Sequence, residues 1–345
     1  MNLSQILRNS LAIKRGEKVL VLTDKPELAN AKRFFLAAKK LSQNAELLIK
    51  PVGSHSGEEP SQQIAERMKK FDVIIAVTTH SLTHTKARIR ASGKGARIAS
   101  LPGFQEKMMS ALQADPYELR RAGEKIKKIL IKTKTVHVTT PSGTDISFRT
   151  GKHIEIDDGL LRKKGAAGNL PAGEAYFAPL EGTANGTVVI DSMRNCRAYA
   201  KSGTRVLVRN GKAVDVSDKK SLLAKYIFSI KNADNIAEFG IGTNKKAKVI
   251  CRILQDEKAA GTCHIAFGNS AAIGGKVYSK IHVDAILFKP SIFADGRMIM
   301  MGGRMMGELP TTKAVGFLIH HQKLSSVPKV LLPIPKARRI VPIPV

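Results

Sequence analysis

From residue 16 onward the chain alternates short apolar runs with amphipathic stretches. GEKVLVLTD (16–24) is a continuous apolar run of strand length, whereas ELANAKRFFLAAKKLSQ (27–43) spaces its apolar residues by three and four, the period of a helix. The pairing recurs. AELLIKPV (45–52) predicts a strand, PSQQIAERMKKF (60–71) a helix, and DVIIAVTT (72–79) and ARIASLPG (96–103) two more strands. Strands separated by helices imply a parallel sheet with right-handed crossovers. PYELRRAGEKIKKILIKTK (116–134) predicts a basic amphipathic helix that leads out of this region and bridges to the next. Its charged side reads as a solvated face rather than a membrane or nucleic-acid surface.

Beyond residue 133 the pattern changes. KTVHVTTPSGTDISFRT (134–150) predicts two strands about a Pro-Ser-Gly turn. TVVIDS, TRVLVRNGKAVDV and KAKVICRIL predict further strands, and KKSLLAKYIFSIKN (219–232) one helix. The expected architecture is therefore an α/β N-terminal domain with a parallel sheet over residues 1–132, Rossmann- or flavodoxin-like in topology. An α+β C-terminal metal-binding domain follows over 133–345. The tail VPKVLLPIPKARRIVPIPV is too rich in proline for a long helix and reads as an extended segment. No glycine-rich nucleotide fingerprint follows the first strand. The loop after the third strand carries His80 and His84, which read as solvated loop residues.

Composition narrows the class. Hydrophobic residues make up 43% of the 345-residue chain and Trp is absent, so the core rests on aliphatic side chains. The formal net charge of +29 attracts polyanions. Aromatic residues for base stacking are scarce, so nucleic-acid binding is expected to be non-specific at most. No apolar run approaches the roughly 18 residues of a membrane span, and the N-terminus lacks a signal-peptide pattern. The three cysteines, Cys196, Cys251 and Cys263, read as buried thiols. The expectation is a cytoplasmic protein with no membrane partner.

Four short segments concentrate carboxylates and histidines among glycines: NLPAGEAYFAPLEGTANG (169–186), AEFGIGTN (237–244), DEKAAGTCHIAFG (256–268) and KIHVDAILFKP (280–290). His282 and Asp284 lie two apart in a strand-like run, so both side chains leave the same face. An imidazole and a carboxylate on one face suit a transition metal. His264 lies in another strand-like run, and Glu174 and Glu238 sit beside glycine in apolar segments, where an unpaired carboxylate is unfavourable. Two histidines and three carboxylates suffice for two ions about 3.5–4 Å apart with a bridging water.

These segments, in this order, resemble the thermophilic metallo-aminopeptidase (aminopeptidase T-like) family over roughly residues 165–300. The resemblance rests on LPAGE with a PLEG-like segment, EFGIGTN, the DEK and GTCHIAFG segment, and the HVD pair before an apolar run. It implies a homodimer that binds two divalent ions, Zn or Co with Mn as a further candidate, and removes N-terminal residues from peptide substrates. The implied metal ligands are Glu174, Glu238, His264, His282 and Asp284. Glu257 or Glu181 is assigned as general base or supporting carboxylate. One position departs: Ala271 stands where the family carries a catalytic tyrosine, and neither Tyr176 nor Tyr278 matches it.

Two other readings stand beside the hydrolase. The first is a mononuclear Fe(II) ring-cleaving dioxygenase on the same scaffold. His264, His282 and Asp284 form the two-histidine, one-carboxylate set of such sites. Retention of both glutamates speaks against it. The second is a nucleic-acid-binding protein that uses the positive charge, for which no binding motif is present.

Overall fold

The structure is a computed structural model and describes residues 2–83, 85–193 and 200–307. His84, Cys196 and the proline-rich tail lie outside these residues. The chain begins with a helix, α1 (Leu3–Leu11), capped by the Asn2 side chain on the Gln5 amide at 2.9 Å. It then enters β1 (Lys18–Asp24), β2 (Asn44–Lys50), β3 (Val73–Val77) and β4 (Arg97–Ser100), with α2 (Leu28–Lys39), α3 (Gln62–Met68) and α4 (Lys86–Gly93) as crossovers. All neighbours in this sheet are parallel, in the order β2-β1-β3-β4. The apolar runs of its central strands β1 and β3 follow from burial on both faces. Val19 and Val21 of β1 join one core cluster, while Leu20 and Leu22 join the cluster on the opposite face. Ser61 and Thr85 cap α3 and α4 by accepting from the Ile64 and Arg88 amides.

After α5 (Met109–Leu112), the predicted basic helix forms as α6 (Pro116–Leu130), with Asp115 as its cap and Pro116 in its first turn. The chain then builds two antiparallel sheets. Strands β5 (Thr135–Thr139) and β6 (Asp145–Arg149) form the expected hairpin. They are followed by β7 (Glu155–Asp157), β8 (Ala167–Asn169), β9 (Glu174–Phe177), β10 (Asn185–Ile190) and β11 (Ser192–Met193). Next come β12 (Thr204–Arg209), β13 (Lys212–Val216), helix α7 (Leu222–Ser229), β14 (Ile236–Gly242) and a short α8 (Ile253–Asp256). The described part ends with β15 (Thr262–Gly268), β16 (His282–Phe288), β17 (Ser291–Ala294), β18 (Arg297–Met301) and β19 (Arg304–Met305).

The larger sheet runs β13-β12-β10-β6-β5-β17-β18-β19 and the smaller β11-β16-β15-β14-β9-β7. Strand β8 belongs to neither. It returns to pair parallel with β4 as the fifth strand of the first sheet. The chain is thus an α/β region with a parallel sheet joined to a β-rich region, the fold class expected from the sequence.

The two antiparallel sheets share one core. Val138, Phe148, Val188 and Val206 of the larger sheet pack with Phe177, Phe239, Ile265 and Leu287 of the smaller. At its centre the rings of Phe148, Phe177 and Phe239 lie 5.1–6.2 Å apart, all fully buried.

The strand predicted at KAKVICRIL does not form. The Ile250 amide donates to the Asp256 carboxylate at 2.7 Å, and Cys251 takes a left-handed φ of 63°, so the backbone bonds to side chains instead of to a neighbouring strand. Of the cysteines, Cys263 is a buried free thiol, as expected, whereas Cys251 is disulfide-bonded. Among the described residues no helix is long and apolar enough to cross a membrane.

Truncation of Phe239 to alanine removes the ring that touches both of the others, and is expected to destabilise the fold by about 3–5 kcal/mol. Urea denaturation of Phe239→Ala checks this; a loss below about 1 kcal/mol contradicts a shared aromatic core.

Candidate metal centre

The smaller antiparallel sheet gives its two faces to different tasks. Successive side chains on a strand point to opposite faces. Ala175, Phe177, Phe239, Ile241, Cys263, Ile265, Val283 and Ala285 point into the shared core. The positions between them, Glu174 and Tyr176 on β9, Glu238 and Gly240 on β14, His264 on β15, and His282 and Asp284 on β16, therefore emerge together on the other face. Strand register aligns them in rows. Tyr176, Gly240 and His264 lie side by side, as do Asp157, Glu174 and Gly242, and likewise Glu238, Ala266 and Asp284.

Two glycines make room above this face. A Cβ on Gly240 would lie 2.1 Å from Cε1 of His264, so the imidazole lies across a position where no other residue fits. A Cβ on Gly242 would lie 2.1 Å from the Ala259 carbonyl oxygen and 3.0 Å from that of Glu257. The segment after α8 is thereby pressed onto the sheet, and it carries Glu257 and Lys258 into the site.

The side chains converge. Nε2 of His264 lies 3.1 Å from Oε1 of Glu238 and 3.6 Å from Oε2 of Glu174. Nε2 of His282 lies 3.3 Å from Oε2 of Glu238 and 3.3 Å from Oδ1 of Asp284. Glu238 thus stands between the two imidazoles, one oxygen toward each. Nδ1 of His282 lies 2.8 Å from the Asn269 carbonyl oxygen. A proton on Nδ1 donated to that carbonyl leaves Nε2 as the lone-pair nitrogen facing the carboxylates.

Lys258 lies on the other side of Glu174. Its side chain is 1% exposed, and its ammonium pairs with Glu174, with Glu257 at 2.8 Å and with Asp157 at 3.4 Å. Burial lowers the lysine's affinity for a proton, but Glu174, Glu257 and Asp157 outweigh it and hold the group well above its usual range. Burial conversely lifts Glu174, Asp157 and Glu257 above the usual carboxylate range despite the attraction of Lys258. Glu238 goes the other way. Burial raises it, yet hydrogen bonds from His264 and His282 hold it below its ordinary value. Both histidines are raised, because burial is overcome by Glu238 and Glu174 for His264 and by Asp284 and Glu238 for His282. Burial, Glu238 and Glu174 hold the Tyr176 phenol firmly protonated.

This donor set fits a divalent cation. Glu174, Glu238 and His264 form one group, and Glu238, His282 and Asp284 a second; within each, the ligand atoms lie within 4.8 Å of one another. Among the described residues, Oε2 of Glu174 and Nδ1 of His264 are buried without a hydrogen-bond partner. The five residues read from the sequence as ligands are therefore brought together. Glu257 is buried among them through Lys258, whereas Glu181 accepts the Lys276 amide in a turn and joins neither group. His80 also belongs to neither.

The comparison with known proteins decides the family. A family model described as NicX, 2,5-dihydroxypyridine 5,6-dioxygenase, matches residues 3–307. The chain belongs to this family. No curated protein sequence matches it. Among solved structures, the 2,5-dihydroxypyridine dioxygenase of Pseudomonas putida KT2440 aligns with a TM-score of 0.75 at 17% identity, covering 88% of this chain and 96% of that one. Wild-type AmpT from Thermus thermophilus aligns with a TM-score of 0.64, also at 17% identity, covering 88% and 98%. Both likenesses establish a common fold.

The NicX match overturns the expectation of a hydrolase. Assignment as a metallo-aminopeptidase acting on peptides is withdrawn, and with it the protease and proteolysis classification. The resemblance to the aminopeptidases survives as a distant fold relationship. The departure at Ala271 already marked the difference: that residue lies in an exposed turn, Ala271–Ile273. Of the expected cofactor, what stands is a candidate site for a divalent metal. The dioxygenase family points to iron rather than Zn or Co, and two ions are not established.

Three residues that the structure brings to this face escaped the sequence reading as site residues: Lys258, Asp157 and Tyr176. Lys258 was hidden in a charge triplet that reads as surface. Asp157 arrives on a three-residue strand. Tyr176 had a legible signal, since it lies two positions from Glu174 on one strand.

Two substitutions probe this arrangement. Lys258→Met leaves three buried carboxylates without their cation and is expected to destabilise the protein by about 3–5 kcal/mol; guanidinium denaturation measures it, and wild-type stability contradicts the charge network. Gly240→Ala drives a methyl group into the His264 ring. It is expected to weaken metal binding at least about tenfold in a chelator-competition titration, and undiminished affinity shows that His264 does not need this space.

Proposed function

We propose that this chain is a ring-cleaving dioxygenase of hydroxylated pyridines, with a single iron(II) held by His264, His282 and Asp284. The observation that carries the reading is the family match across residues 3–307. The donor chemistry supports it, because two imidazoles and one carboxylate are the protein ligands of non-haem iron oxygenases. Iron(II) bound there supplies the redox chemistry that joins dioxygen to an electron-rich ring.

The remaining residues have roles that do not require a second ion. Glu238 has one oxygen toward Nε2 of each histidine and so adds a carboxylate beside the cation. Asn269 fixes the tautomer of His282. Glu174 has one oxygen held by Lys258 and the other unpartnered beside His264. It is placed to take the proton of a substrate hydroxyl, and its raised proton affinity suits a base working near neutral pH. The Tyr176 phenol stays protonated beside Glu238 and Glu174, so it is available as a donor to an oxygen of a bound ring. Retention of both glutamates thus fits a one-metal site.

The test is anaerobic purification, reconstitution with iron(II), metal analysis and oxygen uptake with 2,5-dihydroxypyridine. About one iron per chain and one dioxygen consumed per ring opened are expected, with His282→Ala losing both the iron and at least about 10³-fold in rate. Two tightly bound ions with no oxygen uptake would overturn the reading.

A further inference from the structure

A cavity of about 600 Å³ opens at the amino-terminal edge of the parallel sheet, opposite the edge from which β8 runs on toward Glu174. Arg8 near the end of α1, Arg15 in the loop before β1, and Lys39 and Lys40 at the end of α2 surround it. Ile13, Leu41 and Ser42, all buried, form its floor, and no carboxylate lines it. A depression of this size takes a small molecule.

The four cations are not neutralised from within the chain. None of them takes part in an ion pair among the described residues. The nearest carboxylate along the chain, Glu17, is engaged elsewhere: it pairs with Arg97 at 2.5 Å and accepts the Lys14 amide at 2.8 Å. Arg15 has a neutral partner instead. With its amide oxygen turned toward the guanidinium, Gln43 accepts from Nε at 3.2 Å and from Nη2 at 3.0 Å, which fixes the group and leaves its charge uncompensated. The carboxyl ends of α1 and α2 offset part of the field. Each carries about half a negative charge, so the two together balance about one of the four positive charges.

The cations are also held in place by backbone bonds. The Gln43 amide donates to the Arg15 carbonyl at 3.2 Å, the Asn44 side chain to the Gly16 carbonyl at 3.0 Å, and the Ser42 hydroxyl to the Glu17 carbonyl at 2.5 Å. Four like charges held about one depression repel one another, and a multiply charged anion relieves that repulsion through charge-assisted hydrogen bonds. The lining offers no aromatic ring on which a base could stack.

We propose that this cavity binds a short polyphosphate chain, free or carried by a nucleotide whose base is not recognised. The net charge of +29 raises the local concentration of such an anion. The site is separate from the metal centre, and the proposal stands independently of the ring-cleavage reading.

The experiment is calorimetric titration of the full chain at about 0.15 M salt, where long-range attraction is screened. The probes are tripolyphosphate, ATP and a DNA duplex. A single tripolyphosphate site per chain is expected, with similar affinity for ATP. Arg15→Ala and Lys40→Ala are each expected to weaken it about tenfold or more, the size of one charge-assisted hydrogen bond. Both side chains are exposed, so thermal melting of these variants is expected to match wild type. The double variant Arg205→Ala/Arg209→Ala removes two exposed charges from β12 and is expected to bind as wild type does. His282→Ala, which disables the metal centre, is expected to do the same. Equal weakening in the β12 variant would show attraction by net charge alone and overturn the site. Loss of binding in His282→Ala would place the anion at the metal centre and overturn it too. A duplex that binds while tripolyphosphate does not would assign the surface to nucleic acid, and no binding of any probe would leave the cavity without this ligand; either result overturns the proposal.

Discussion

Five carboxylates gathered on one desolvated sheet face repel one another, and the site exists only because positive charge is fixed among them. Glu174, Glu238, Glu257, Asp157 and Asp284 would each be unfavourable to bury alone by several kcal/mol. The fold answers with Lys258 on one side and two imidazoles on the other. Each of these is placed by a backbone feature rather than by its own side chain. Gly242 admits the segment that carries Lys258, Gly240 admits the His264 ring, and the Asn269 carbonyl pins His282. Two imidazolium protons or one divalent ion supply equal charge, which is why a protein with this cluster couples metal affinity to pH.

The parts of the fold legible in the sequence are those where one strand decides its own environment. VLVLTD is apolar on both faces, so β1 reads as a buried parallel strand wherever it is placed. HVD reads as two donors on one face because the period of a strand is two. What was not legible depends on pairing between distant segments. Ala-Gly-Asn has no strand signal of its own, yet it completes the parallel sheet as β8. Asp157 becomes part of the site only because β7 pairs with β9 in a register that sets it opposite Glu174. Lys258 looks solvated in sequence and is fully buried in the fold, because its flanking residues Glu257 and Ala259 pack their carbonyls on Gly242, a contact between distant segments.

The same donors suit a hydrolytic centre as well as an oxygenase, and the reason is chemical. Two histidines and several carboxylates suit Zn, Co, Mn or Fe alike. Ordered motifs such as EFGIGTN and GTCHIAFG mark the scaffold that places the donors. The fold relationship to AmpT shows that this scaffold is shared across both kinds of protein. What separates two chemistries on one scaffold is the group that meets the substrate. The position that carries a tyrosine in the aminopeptidases is here Ala271 in an exposed turn, whereas the phenol beside the donors, Tyr176, comes from a different strand. A motif that names ligands therefore constrains the metal more than the reaction.

The first half of the chain contributes none of the five donors, yet it sets the position of one of them. Glu238, His264, His282 and Asp284 lie on three adjacent antiparallel strands, so their spacing is fixed by that sheet alone. Glu174 is different. The chain reaches it directly from β8, a strand of the parallel sheet, through Leu170–Gly173. Asn244 ties this connection down, donating to the Ala172 carbonyl at 2.8 Å and to the Ala111 carbonyl at 3.1 Å. Glu174 is held in the antiparallel sheet by its pairing with Gly242 of β14, and the short connection from β8 ties it to the parallel sheet as well. The parallel sheet and the antiparallel sheet meet at that carboxylate, and the geometry of the site depends on both.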